Sequence, residues 1–264
     1  MRIFLLYLLI ITTMSRPVNQ VGILIHGTWA ATANWHKPGH QFFEILKSSL
    51  NAKQIKLINF NWTGILSYEK RQMAGVELAA LINSYPTTTK FILVTHSHGS
   101  NVGIVASQLI TQPAKITAFY ALGTPIDTEH YLPNMHTIVN FYNIFSFGDL
   151  YQTALGMHQR ILPTTDGIYN INIEINHQKP QHEELHCVAI AKWLPQITHY
   201  LKTVPSDSQI FAKFYDHLAP QFYLDTAFTQ KMTRDLLLHK LICLHALGNY
   251  SDQRLSKIFN FSFS

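Results

Sequence analysis

The sequence predicts an α/β protein built on one doubly wound, mostly parallel sheet of about six strands. Three observations predict it. Apolar runs of strand length alternate with stretches whose apolar residues recur at helical spacing along the 264 residues. Runs such as Val21-Gly22-Ile23-Leu24-Ile25 are apolar without alternation, which suits strands covered on both faces. Residues 91–110 pass from an apolar run, through Thr95-His96-Ser97-His98-Gly99, straight into helical spacing at Val102, Val105, Ala106, Leu109 and Ile110.

The first 15 residues, MRIFLLYLLIITTMS, set Arg2 before an apolar run too short to span a bilayer comfortably. They resemble a signal peptide; a retained anchor and a true start at Met14 stay open beside it. Export or membrane association through 1–15 follows from the first two, a cytoplasmic location from the third. A domain at 16–204 then opens with a strand at 21–27 that ends in His26-Gly27-Thr28. A loop and a short helix lead to a second strand at 55–60, closed by Asn61-Trp62-Thr63-Gly64. A helix at 69–85 sets Ala74, Leu78, Leu81 and Tyr85 on one face, and Pro86 stops it.

The strand–turn–helix of 91–110 follows. Residues 115–122 form a strand ending in Gly123-Thr124-Pro125, and 137–145 another ending in Ser146-Phe147-Gly148-Asp149. A strand at 167–175 precedes a helix at 183–194, with Leu185, Ala189 and Trp193 on one side and Pro195 near its end. From about 205 the pattern changes. Phe211, Phe214, Tyr215 and Leu218, then Met232, Leu236, Lys240 and Cys243, predict a helical extension over 205–264 with a stop near Gly248-Asn249.

Composition narrows the function. At 47% hydrophobic and 13% charged the chain buries one sizeable core. The 20 lysines and arginines give a net charge of +5 but are scattered singly, so nucleic acid is not an expected partner. Cys187 and Cys243 suit buried apolar positions better than a disulfide framework. The 15 histidines are taken as structural or surface residues rather than as a metal-ligand spacing, and no metal or organic cofactor is expected.

The chemistry centres on Ser97. A serine on a sharp strand-to-helix turn has its hydroxyl pushed out above the sheet, and small residues two positions to either side let the backbones pass. Gly99 fills one of these positions; Thr95 stands where glycine is usual in the other, and a helix N-cap serine is the plain alternative. The His26-Gly27-Thr28 strand end turns backbone N–H groups toward the same opening, the second half of an oxyanion hole. A serine hydroxyl needs an imidazole to take its proton and a carboxylate to orient that imidazole. Both belong in loops at the C-terminal ends of later strands. Asp149 is the first candidate acid and Asp127 the fallback, while Asp166 lies at the wrong edge. His182 is the first candidate base, with His186 and His177 as alternatives. His96 and His98 flank the serine and project away from it.

The motifs VGILIHGTWA, FNWTGILSYEKRQMAGVELAALI, VTHSHGSNVGIVA, LGTPI and HEELH, within roughly 21–201, resemble the lipase and esterase-like members of the α/β-hydrolase superfamily. The Ser97, Asp149, His182 order is that superfamily's order. The resemblance implies acyl transfer from a carboxylic ester, of lipid or another acyl class. Ser97 would be nucleophile, His182 base and Asp149 its orienting acid, with the amides of Thr28 and His98 holding the oxyanion. Trp29, Trp35, Phe42, Phe43 and Tyr131 are candidates for an acyl pocket or for core packing. A thioesterase or acyltransferase with the same three residues, and a non-catalytic interaction module using 211–264, are the rival readings.

Overall fold

The computed structural model describes residues 20–50, 55–154, 160–163, 165–204, 210–215 and 218–224. In chain order these form β1 (Gln20–Ile25), α1 (Gln41–Ser49), β2 (Ile55–Phe60), α2 (Tyr68–Asn83), β3 (Lys90–His96) and α3 (His98–Leu109). Then come β4 (Ile116–Leu122), β5 (Phe141–Phe145), α4 (Leu150–Ala154), β6 (Ile168–Ile175), α5 (Val188–Tyr200), β7 (Ile210–Phe214) and β8 (Gln221–Leu224), with 3-10 turns at His182–His186 and Leu201–Thr203. The strands make one eight-stranded sheet in the order β2-β1-β3-β4-β5-β6-β7-β8. Every pairing is parallel except that of β7 with β8.

The continuous apolar runs are explained by what covers them. Successive side chains of a strand point to opposite faces. Ile23, Ile25, Phe91 and Leu93 go to one face and join Leu78 and Ile82 of α2 and Val102 and Ala106 of α3. Leu24, Ile92 and Val94 go to the other and join Phe42 and Leu46 of α1 and Ala189 and Leu194 of α5. A polar residue on either face of β1 or β3 would therefore be buried without water to bond.

Two expectations are corrected. The six strands inferred from the sequence correspond to β1–β6, but the sheet continues into residues predicted to be helical. Ile210, Ala212 and Phe214 are buried while Phe211 and Lys213 are only partly so, a period of two. The three-residue spacing of Phe211 and Phe214 imitates a helix, and pairing with β6 overrides it. The boundary at 204/205 therefore does not separate the sheet from an extension as far as Leu224. Residues 1–15 and the apolar positions Met232 to Cys243 lie outside the described residues.

The helix predicted over 183–194 is also two elements. Cys187 is extended, with φ −80° and ψ 170°, and splits a 3-10 turn from α5. Pro195 lies inside α5, which runs on to Tyr200. Among the described residues no helix is long and apolar enough to cross a membrane.

The strand order decides where a site can form. From β1 the chain goes first to β2 on one side and then back to β3 on the other. Loops leaving the C-terminal ends of β1 and β3 diverge and open a crevice between them, the place where ligands bind in open α/β sheets. Thr28 and Ser97 are at those two ends.

Candidate active site

Ser97 leaves β3 at φ 53° and ψ −134°, a backbone conformation that non-glycine residues avoid. Packing holds it there. Its amide donates to the carbonyl of Leu122 at 2.9 Å, tying the turn to the end of β4. A methyl group on Gly99 would lie 2.4 Å from the carbonyl oxygen of His26 and 2.6 Å from that of Ile25, so the first turn of α3 rests directly on the end of β1. Thr95 is tolerated beside this close approach because its hydroxyl has work to do. It lies 2.7 Å from Ser100 Oγ and donates to the carbonyl of Tyr120 at 3.1 Å.

The strand end of β1 lies against the serine. A methyl on Gly27 would sit 2.7 Å from Ser97 Cβ and 3.3 Å from Ser97 Oγ. The turn that follows is clamped from the loop after β2. His26 Nδ1–H donates to the Gly27 carbonyl at 2.8 Å, while His26 Nε2 accepts the Trp62 amide at 3.3 Å. Trp62 Nε1 donates to the His26 carbonyl at 2.7 Å, and the Trp29 amide to the Gly64 carbonyl at 2.7 Å. Among the described residues no hydrogen bond engages the amide of Thr28 or that of His98. Two backbone donors are thus left unused on either side of Ser97, one of them at the N-terminus of a 12-residue helix.

Asp149 and His182 meet beside them. Asp149 is fully buried after β5, and its Oδ2 accepts a hydrogen bond from His182 Nδ1–H at 2.7 Å. A carboxylate oxygen only accepts, so the imidazole is left with Nε2 for other business. The Gln152 amide donates to Asp149 Oδ1 at 3.2 Å. Arg160, buried, donates to the backbone carbonyls of Ser146 and Asp149, bracing the loop from below. Gly123 forms the floor between this pair and the serine. A methyl there would be 3.3 Å from His182 Nδ1 and 3.2 Å from Asp149 Oδ2, and the preceding Leu122 carries the carbonyl that Ser97 bonds. Among the described residues no hydrogen bond reaches Ser97 Oγ.

The other candidates go elsewhere. His186 Nε2 bonds Glu183 Oε2 at 3.1 Å, and its ring stacks on Trp35. Asp127 takes His130 at 2.8 Å on a partly exposed turn. His177 is exposed, beside Tyr215. Of the aromatic candidates, Trp35, Phe42, Phe43 and Tyr131 are buried in the two core clusters and Trp29 alone is exposed.

Sequence reasoning sets metal-ligand spacings aside, yet His182-Glu183-Glu184-Leu185-His186 spells His-Glu-x-x-His. On an α-helix that spacing puts both imidazoles on one face. Here the segment is a 3-10 turn of five residues, in which positions three apart eclipse. Glu183 and His186 therefore share a side, and His182 faces Asp149. Gln181 and Glu184 close the turn: the Glu184 amide donates to the Gln181 carbonyl at 3.0 Å, while Glu184 Oε2 accepts the Gln181 amide at 2.7 Å.

Burial sets the charge of the histidines around the elbow. It pushes His98 down to about 3, helped by the Arg71 and His182 charges, and His36 down to about 4. It also holds His96 well below its ordinary range. His96 is a neutral support. Its Nε2–H donates to the carbonyl of His182 at 3.0 Å, tying the His182 turn to the end of β3. Arg71, buried on α2, donates to Tyr131 Oη at 2.8 Å. Trp62, His96 and Arg160 reach the site through backbone carbonyls of other segments, and of the three only Trp62, in the Trp62-x-Gly64 pattern, leaves a trace in the sequence.

No family model and no curated protein matches the chain. Among solved structures, an α/β serine hydrolase without a lid from Xanthomonas campestris is 12% identical, with 89% of this chain and 83% of that one aligned at a TM-score of 0.38. The catalytic core domain of an acetyl xylan esterase from Trichoderma reesei is 11% identical over 72% of this chain and 98% of that one, TM-score 0.37. A cutinase-like protein from Cryptococcus sp. is 22% identical over 42% of this chain, TM-score 0.33, and the alignment spans 56% of that protein's length. Likenesses of this size assign nothing to the chain. Its own strand order makes it an α/β protein on a mostly parallel sheet, with a strained serine turn after β3 and an Asp–His pair on the segments that follow β5 and β6.

Proposed function

We propose that the protein is a serine hydrolase of carboxylic esters. Ser97 is the nucleophile, His182 the base and Asp149 the group that orients it. The observation that carries this reading is the buried 2.7 Å Asp149–His182 bond standing across Gly123 from a serine at positive φ. Ser97 Oγ attacks the ester carbonyl as its proton passes to His182 Nε2. The oxyanion that forms is held by the amides of Thr28 and His98, each such donor contributing on the order of a hundredfold in rate. His182 then gives the proton to the departing alcohol, leaving an acyl-Ser97. Water, deprotonated by the same imidazole, attacks this acyl group and releases the acid.

The rim of the site favours an apolar acyl group. Trp29, Ile65 and Leu66, on the loops after β1 and β2, and Leu150 and Tyr151, at the start of α4 after β5, are all exposed. The Tyr151 ring lies 5.2 Å from that of His182. A cluster of exposed apolar side chains around a catalytic mouth suits a lipid or long-chain ester.

A fluorophosphonate probe followed by peptide mass mapping tests the reading. The adduct is expected on Ser97 and is lost in Ser97→Ala and His182→Ala. Folded protein that takes no label, or takes it elsewhere, overturns the assignment. p-Nitrophenyl esters of graded chain length then read the acyl preference, with kcat/KM rising from acetyl to longer chains. A flat or falling series removes the lipid reading and keeps the hydrolase. Competing alcohols in the same assay separate hydrolysis from acyl transfer.

A further inference from the structure

Beside His182 lies a second cluster with chemistry of its own. One ligand atom from each of His96, Glu183 and His186 can be chosen so that all three lie within 4.8 Å of one another. Tetrahedral zinc with bonds of about 2.0–2.1 Å sets its ligand atoms about 3.3 Å apart. His186 Nε2 and Glu183 Oε2 are already 3.1 Å apart, and the Glu183 side chain is 73% exposed and can swing.

Two of the rings are held in place by other contacts. His186 stacks on Trp35 with ring centroids 5.0 Å apart and planes 8° off parallel. His96 gives its Nε2–H to the His182 carbonyl, which leaves Nδ1 as the ring's lone-pair nitrogen. A ligating imidazole whose second nitrogen donates to a backbone carbonyl is the usual outer-shell arrangement of a metal site. The His96 and His186 rings stand nearly perpendicular, at 86° with centroids 4.7 Å apart, so they meet without stacking on one another.

We propose that His96, Glu183 and His186 bind one divalent transition-metal ion of the zinc type, with a fourth position open to water. Two imidazoles and one carboxylate suit zinc and its neighbours rather than calcium or magnesium, which take oxygen ligands. Such an ion has a mechanical consequence. It joins the residue before Ser97 to the residue after His182 and so fixes the base-bearing turn to the nucleophile strand.

The test uses untagged full-length protein, stripped with chelator and then dialysed free of it. Zn²⁺ is titrated calorimetrically, and Co²⁺ by its visible absorption. One ion per chain is expected, with the strong cobalt bands of a four-coordinate site. Glu183→Gln, at an exposed position, and His186→Ala, at a half-buried one, each weaken binding at least tenfold. His130→Ala, in the separate group Asp127, Glu129 and His130, leaves it unchanged. Three outcomes overturn the proposal: no binding up to about a hundred micromolar ion by folded protein, binding that survives both cluster variants, or binding lost with His130. None of these readouts needs a substrate, so failure here leaves the hydrolase reading standing, and failure there leaves this one.

Discussion

Ser97 and His182, its proposed base, are held by opposite means. Ser97 is set by backbone against backbone: Gly99 rests on the carbonyls of β1, the serine amide on that of β4, and Thr95 fills the remaining gap with two hydrogen bonds. His182 rides on a short 3-10 turn whose position rests on side chains: Asp149 in front, His96 behind and the Glu184 carboxylate on the Gln181 amide at its start. Where backbones interlock, a small change costs stability, because close-packed main chain cannot move aside. Where single side-chain bonds hold a group, a small change costs orientation and leaves the fold intact.

The largest expected effect lies on the side-chain-held half. Asp149→Asn keeps the size of the side chain but can present an N–H to His182 Nδ1, favouring the tautomer that puts a proton on Nε2. That nitrogen then cannot accept from Ser97. A drop of about 10⁴-fold in kcat is expected, with the denaturation midpoint nearly unchanged. Steady-state kinetics beside urea unfolding measures both, and a variant that loses stability in proportion to activity would erase the contrast.

The elbow should answer in the other way. Thr95→Val keeps the shape and removes the hydroxyl, leaving Ser100 and the Tyr120 carbonyl without their shared partner in a fully buried place. A loss of about 1–3 kcal/mol is expected, read by chemical denaturation. Thr95→Gly, which supplies the residue usual in such elbows, should also destabilise, because it adds chain entropy to the same lost bonds. A Thr95→Gly protein as stable as the parent would mean that threonine is merely accommodated there.

The same division explains what the sequence made legible. Strands β1, β3 and β4 announce themselves because each is buried on both faces, a demand written in consecutive apolar residues. The sharp turn at Ser97 is likewise local, and chain order alone points to Asp149 and His182. β7 escapes because IFAKF carries apolar residues at both two- and three-residue spacing, and only its pairing with β6 decides between them. HEELH is ambiguous for a related reason. Its five residues mean one thing on an α-helix and another on a 3-10 turn, and Gln181 and the extended Cys187 decide between the two. Trp62, His96 and Arg160 could not be found from spacing, because each acts through a backbone carbonyl far away in the chain.

The smallest expected effect probes the turn itself. Glu184→Ala removes the carboxylate that accepts the Gln181 amide and breaks one half of the cap, while Asp149 and His96 still grip His182 from either side. A lost cap of this kind costs about 1 kcal/mol, and the two remaining contacts should confine most of it to fraying of the turn. The rate then falls only a few-fold, in kcat rather than KM, because the base spends more time misaligned while the rim that meets the substrate is untouched. Glu184→Gln should recover much of it, since its amide oxygen can still accept the Gln181 N–H. A fall as deep as that of Asp149→Asn would instead mean that the turn's own hydrogen bonds, and not its flanking contacts, are what aim His182 at Ser97.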